Sequence, residues 1–168
     1  MSDGTSIVTE TATRIFAALA DPQMLNRSSN DAWKGPLWQA LAQAGLTLAW
    51  VPQEQGGAGA DLADGFEVIA VAGRFAAPVP VAETLLAGWL LARGSISSPS
   101  GAMTVVPARP GERIALNSDG SLSGCARGVP FAQDALHIAV CAHDHEAAWI
   151  ALVNARACRI ARGRNLAG

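Results

Sequence analysis

Cysteine is scarce in this chain: three among 168 residues, at positions 125, 141 and 158. So few, so widely spread, make no disulfide framework. Charge is sparse as well, at 15% of residues, and 12 Lys and Arg do not outnumber 14 Asp and Glu. The formal net charge of -2 leaves no electrostatic footprint for a nucleic-acid backbone. Long hydrophobic runs are missing: a stretch such as Leu85 to Ala92 falls far short of the roughly 18 residues that cross a membrane. The opening stretch, Met1 to Thr9, carries Asp3 and no basic cluster, so no secretory signal is read. What is abundant is apolar side chain, at 50%, which excludes intrinsic disorder. A soluble, cytoplasmic globular protein is expected, with no nucleic-acid or membrane partner, long enough for one ordinary domain or two small ones.

The sequence changes character near residue 100. Up to Arg93 it is rich in Ala and Leu at helical spacing, and four helices are expected. The first runs around Glu10 to Ala20 and is ended by Asp21-Pro22; the second starts at Pro36 and stops at Gly45. The third, Leu62 to Phe75, has Asp61 as its N-cap, with Asp64 also favoured by the helix dipole. The fourth, Val81 to Ala92, follows Pro78-Val79-Pro80. The last two are apolar on nearly every face, which calls for burial in a helical bundle. After a linker-like stretch, Gly94 to Gly101, short apolar segments separated by Gly, Pro, Asn and Asp read as strands. These are Met103–Val106, Glu112–Asn117, Leu136–Ala142, Ala147–Val153 and Arg156–Ala161. No convincing helix separates them, so the sheet is expected to be antiparallel. The fold class is α+β: an N-terminal all-helical bundle (1–94), a linker (95–101) and an antiparallel β domain (102–168).

Several local patterns have a sharp and a plain reading. Gly56-Gly57-Ala58-Gly59 lacks the spacing of a dinucleotide loop and reads as a tight turn feeding the third helix. Cys141, His143 and His145 alternate, with His137 further along, and suit zinc by type. Asp144 and Glu146 instead suggest a polar hairpin tip after a buried Cys141, and no metal site is assigned. Arg156, Arg159, Arg162 and Arg164 form either a solvated strand end or a phosphate contact. Trp38, Trp50 and Trp89 sit at apolar positions and read as core. Glu67 and Arg74 read as structural.

Two stretches lift the sequence out of anonymity. Leu37-Trp38-Gln39-Ala40-Leu41-Ala42-Gln43-Ala44-Gly45 is followed by Val51-Pro52-Gln53-Glu54-Gln55-Gly56-Gly57-Ala58-Gly59. The second is a close version of the Pro-Glu-Glu-Tyr-Gly-Gly-x-Gly turn of the acyl-CoA dehydrogenase family, which this sequence resembles. Gly73 to Leu86 matches the family's approach to its next helix, and Gly124 to Leu136 falls without gaps on the segment before a central strand. The matches occur in order and at the right spacing across almost the whole chain.

The resemblance implies an FAD enzyme that forms a double bond between Cα and Cβ of an acyl-CoA thioester. It also implies an incomplete fold, because the family has a C-terminal helical domain that carries the catalytic Glu; no catalytic residue is assigned here. Where the family has Leu-Thr-Glu-Pro-x-x-Gly-Ser-Asp, this chain reads Met103 to Gly111, and Thr104 alone survives as a flavin contact. Where the family covers the flavin edge with Lys-x-Trp-Ile-Thr-Asn, Ala126 replaces the Lys and Gly128, Val129 and Pro130 stand for Trp-Ile-Thr. These four, Thr104, Gly128, Val129 and Pro130, are the candidate FAD positions, and Trp89 is the candidate wall of the acyl pocket. The departures resemble the partner subunits of heteromeric members, so a homo- or hetero-oligomer with another acyl-CoA dehydrogenase subunit is expected. In that alternative the chain is a non-catalytic partner completing the substrate or FAD site of a catalytic homologue.

Overall fold

The computed structural model describes residues 6–28 and 30–163; Arg164 and the closing Asn165 to Gly168 lie outside the described residues. Among the described residues five helices precede the sheet. Helix α1, Ile7–Leu19, is capped by Ser6, whose hydroxyl accepts from the Val8 N–H. Asp21-Pro22 ends α1, as expected, and also starts another helix, α2 (Pro22–Arg27). The Asp21 carboxylate accepts from the N–H groups of Gln23 and Met24 while Pro22 takes the first helical position. Helix α3, Lys34–Gln43, runs into Gly45 at φ 73°. Helix α4, Leu62–Arg74, has the expected Asp61 cap accepting from Asp64 N–H at 2.9 Å. Helix α5 is Val81–Arg93.

Helices α1, α3, α4 and α5 enclose a core built on Phe16, Leu37, Leu41, Val68, Val71 and Leu85, with Phe16 stacked on Phe75 at 5.8 Å. Thr9 donates its hydroxyl to Glu67, which ties α1 to α4 and gives Glu67 the structural role expected of it. Burial is less complete than the sequence suggests: Leu62 and Phe66 on α4, and Leu86 and Trp89 on α5, stay exposed.

Between α3 and α4 the chain makes two short 3-10 turns, Leu46–Leu48 and Gln53–Gln55, and a glycine turn with no strand before it. A Cβ on Gly57 would lie 2.1 Å from the Val51 carbonyl oxygen, so glycine here serves a close backbone approach. Gly57→Ala is expected to destabilise the chain by about 1–3 kcal/mol; equal denaturation midpoints for variant and wild type would contradict this packing.

The sheet contains β1 (Met103–Val105), β2 (Ile114–Leu116), β3 (Leu122–Ser123), β4 (His137–His143) and β5 (Ala148–Asn154). Strand β4 is central. Its whole length pairs with β5 in antiparallel register, His137 opposite Asn154 and His143 opposite Ala148. Its other edge takes β1 at its start and β2 at its end, both parallel, and β3 adds to β2 as a short antiparallel hairpin. The expected antiparallel sheet is therefore mixed. A parallel return needs a connection of a dozen or more residues but no helix, and the coil and hairpin between β1 and β4 supply it. The strand expected over Arg156–Ala161 is absent: Asn154 caps a 3-10 turn, Ala155–Ala157, by accepting from Arg156 N–H, and coil follows.

Alternation along β4 sorts the two faces. Ala139 meets α5 with Ala87, Leu91 and Met103, joined by Ile150 and Leu152 of β5. Ile138 and Val140 pack on the other side with Ala155, Val153 and Ile160. One polar side chain joins α5 to the sheet. The fully buried Thr84 hydroxyl donates to the Met103 carbonyl and accepts from the Met103 N–H, each at 3.0 Å. Replacing it by an isostere strands two buried backbone groups, so Thr84→Val is expected to cost about 1–3 kcal/mol, with Thr84→Ser recovering most of it. Urea denaturation in which Val and Ser behave alike would contradict that role.

Candidate functional site

On β1, Met103 faces α5, so its neighbour Thr104 turns to the opposite side, where it is fully buried. Its hydroxyl donates to the Pro130 carbonyl at 2.6 Å. Two candidate residues lying 26 positions apart are thus in direct contact. The segment carrying Pro130 leaves β3 through Gly124, whose Cβ position is 2.7 Å from the Arg113 carbonyl oxygen, and reaches a left-handed Gly128 at φ 63°. Beyond Pro130, Phe131 at φ 50° makes a tight turn, its carbonyl accepting from the N–H groups of Asp134 and Ala135. Val129 and Phe131 line a shallow cleft of about 270 Å³ with Gln133, Asp134, Ile160 and Ala161. Arg162 donates to Gln133 at this cleft.

A residue the sequence reading passed over completes the arrangement. The Arg109 guanidinium lies across Gly128, so that a Cβ there would sit 2.6 Å from one of its nitrogens. Next to it, Glu112 accepts from Arg127 N–H at 3.0 Å and stands 3.9 Å from Arg127 Nε. The sequence holds one signal for this: an arginine in the shortened loop opposite a residue without a side chain.

The FAD implied by the family resemblance does not fit these residues. Pro130 has no N–H to offer a flavin. The Thr104 hydroxyl gives its one proton to the Pro130 carbonyl and has none left to donate to a ring nitrogen or oxygen. Gly128 offers no side chain, and the space above it holds Arg109.

Trp89 stands apart from this group. It lies off the sheet-facing side of α5 formed by Thr84, Ala87 and Leu91, 39% exposed, with Arg93 5.9 Å from its ring centroid. It is not the core residue one plain reading made it, whereas Trp38 and Trp50 pack against the helical core. A second cleft, of about 420 Å³, opens at the far end of the helical half among Pro22, Leu25, Trp33, Phe75 and Pro78. It contains none of the candidate residues.

The alternating Cys141, His143 and His145 do not share a strand face: β4 ends at His143, and Cys141 is exposed rather than buried. Among the described residues no three His, Cys, Asp or Glu side chains gather as metal ligands. The turn after β4 is polar, as expected. Asp144 accepts from the N–H groups of Ala147 (2.7 Å) and Glu146 (2.8 Å) and from Trp149 Nε1 (2.7 Å). These bonds, the Ala147 one foremost, hold its carboxyl below the ordinary 3.8 by favouring the ionised form. The tip's contribution to stability is therefore complete above the unfolded-state value and disappears as pH falls through the lower folded one. The Trp149 indole N–H resonance is expected to titrate with a midpoint below 3.8; a midpoint above it would contradict the contact.

With this geometry in hand, comparison with known proteins is informative. The fold is similar to a solved structure of a variant of the Tcur3481–Tcur3483 steroid ACAD, ACAD being acyl-CoA dehydrogenase. The match has a TM-score of 0.70 at 29% identity and covers 88% of this chain and 47% of that one. It is also similar to the ChsE4–ChsE5 complex from Mycobacterium tuberculosis, with a TM-score of 0.68 at 21% identity over 92% of this chain and 49% of that one. No protein-family model matches the chain, nor does any curated protein. The resemblance read from the sequence thus holds in three dimensions: this is an acyl-CoA dehydrogenase-like α+β chain. It spans about half the length of the solved chains it matches. Among the described residues no helix is long and apolar enough to cross a membrane.

Proposed function

We propose that this chain is a non-catalytic partner subunit of a heteromeric acyl-CoA dehydrogenase-type flavoprotein. It completes the substrate or FAD site of a catalytic homologue that dehydrogenates an acyl-CoA thioester between Cα and Cβ. The observation that carries this reading is the likeness, at 29% identity over 88% of this chain, to a steroid ACAD named for two components. The likeness to the ChsE4–ChsE5 complex supports it at the level of fold.

In this reading the helical part, 1–94, and the β part, 102–168, are the units joined by 95–101. Among the described residues none is assigned as the base. The chemistry of FAD, accepting a hydride from the β-carbon, is supplied on the catalytic homologue. Trp89 and Leu86 form an exposed apolar strip on α5 suited to the hydrocarbon part of the acyl group. A steroid-sized acyl group agrees with the steroid in the name of the 29% identical neighbour.

Co-expression with a catalytic homologue that keeps the family's C-terminal Glu tests this. A stable complex on size exclusion is expected, oxidising an acyl-CoA in a dye-reduction assay, with Trp89→Ala raising KM at least several-fold. A homologue fully active without this chain, and forming no complex with it, would overturn the proposal.

A further inference from the structure

The family resemblance makes two segments of this chain the neighbours of the flavin: β1 with the loop after it, Met103 to Gly111, and the segment from Ala126 to Pro130. In the structure two hydrogen bonds, one from β1 and one at Glu112 just past the loop, join this stretch to residues 127–130, and the Arg109 side chain lies over Gly128 between them. Thr104 donates to the Pro130 carbonyl at 2.6 Å. The Arg109 guanidinium covers Gly128, whose backbone is left-handed and has no Cβ to keep it away. Glu112 accepts from the Arg127 N–H at 3.0 Å. A flavin edge needs donors aimed outward and a face to lie on; here the hydroxyl, the carbonyl and one carboxylate oxygen are directed across the seam.

We infer that in this chain the flavin-edge position is a structural clasp: Thr104 and Glu112 bind β1 and the end of the loop after it to residues 127–130, with Arg109 lying over Gly128, and the chain folds without FAD and takes none up alone. Thr104 is accordingly a positioning residue for Pro130, not a cofactor ligand. The bond it makes is buried at its donor end, so its removal leaves the Pro130 carbonyl without its partner. The inference rests on the acyl-CoA dehydrogenase reading, since only that reading makes the two segments flavin neighbours.

The test is a titration of the purified chain with FAD, followed by flavin absorbance after gel filtration and by thermal unfolding. The expected result is no retained flavin and no change in Tm. Stoichiometric yellow protein, or a rise of about 5 °C at saturating FAD, would overturn the clasp, because a ligand bound only by the native state raises Tm by mass action. Thr104→Val is expected to lower Tm and Thr104→Ser to restore it, with or without FAD; variants indistinguishable from wild type would also overturn it. Flavin uptake by the isolated chain would leave complex formation with a homologue untouched. Failure to form that complex would strike the functional reading and leave the titration as it stands.

Discussion

The joint between helices and sheet rests on one hydroxyl. Strand β1 is three residues long and pairs with β4 along one edge, so its buried outer backbone groups need a partner other than a strand. Thr84 supplies both a donor and an acceptor to Met103 from within α5. Around that bond the helix and sheet come close because small residues allow it: Ala87 packs on the sheet side, and a Cβ on Gly94 would lie 3.1 Å from Ile150. Gly88 admits Val51 from the glycine turn, whose methyl would lie 2.8 Å from a Cβ there. Turn, helix and strand are therefore linked in series, and the position of β1 depends on all of them.

That series sets what Thr104 can do. With the Met103 backbone held by α5, the next side chain is directed to the other face of the strand, against Pro130. One dipeptide thus joins the helical half on one side and the 124–136 segment on the other. Opposite a proline, this threonine is part of the protein's own hydrogen bonding. Trp89, about one and a half turns of helix from the Thr84 joint and on another face of α5, answers to a different surface.

The long elements were legible because their signals are local. Apolar spacing located α1, α4 and α5, and the Asp61 cap and the four longer strands lay within a few residues of their expected places. Helix α2 was hidden because Asp-Pro both stops one helix and starts another, and only the first role was read. The direction of β1 and β2 was missed because it depends on a path through coil that no periodicity records. The Arg156 to Ala161 stretch is a short apolar segment between arginines, yet it runs as a 3-10 turn and coil and pairs with no strand. At the site, Thr104 and Pro130 were named by motif position, but their mutual contact was not, and neither Arg109 nor Glu112 was singled out as a site residue. Those contacts join residues 15 to 26 positions apart across a loop, where sequence spacing carries no information.

The layout of β4 also bears on how the chain assembles. Its pairing with β5 closes only the short turn at Asp144 to Ala147, whereas its parallel pairing with β1 closes the whole stretch from 106 to 136. Loop-closure entropy rises with that separation, so the β4–β5 hairpin is the inexpensive nucleus and the β1 seam a late, high-contact-order step. Until β1 docks, one edge of β4 and the sheet-facing side of α5 both lack their partner.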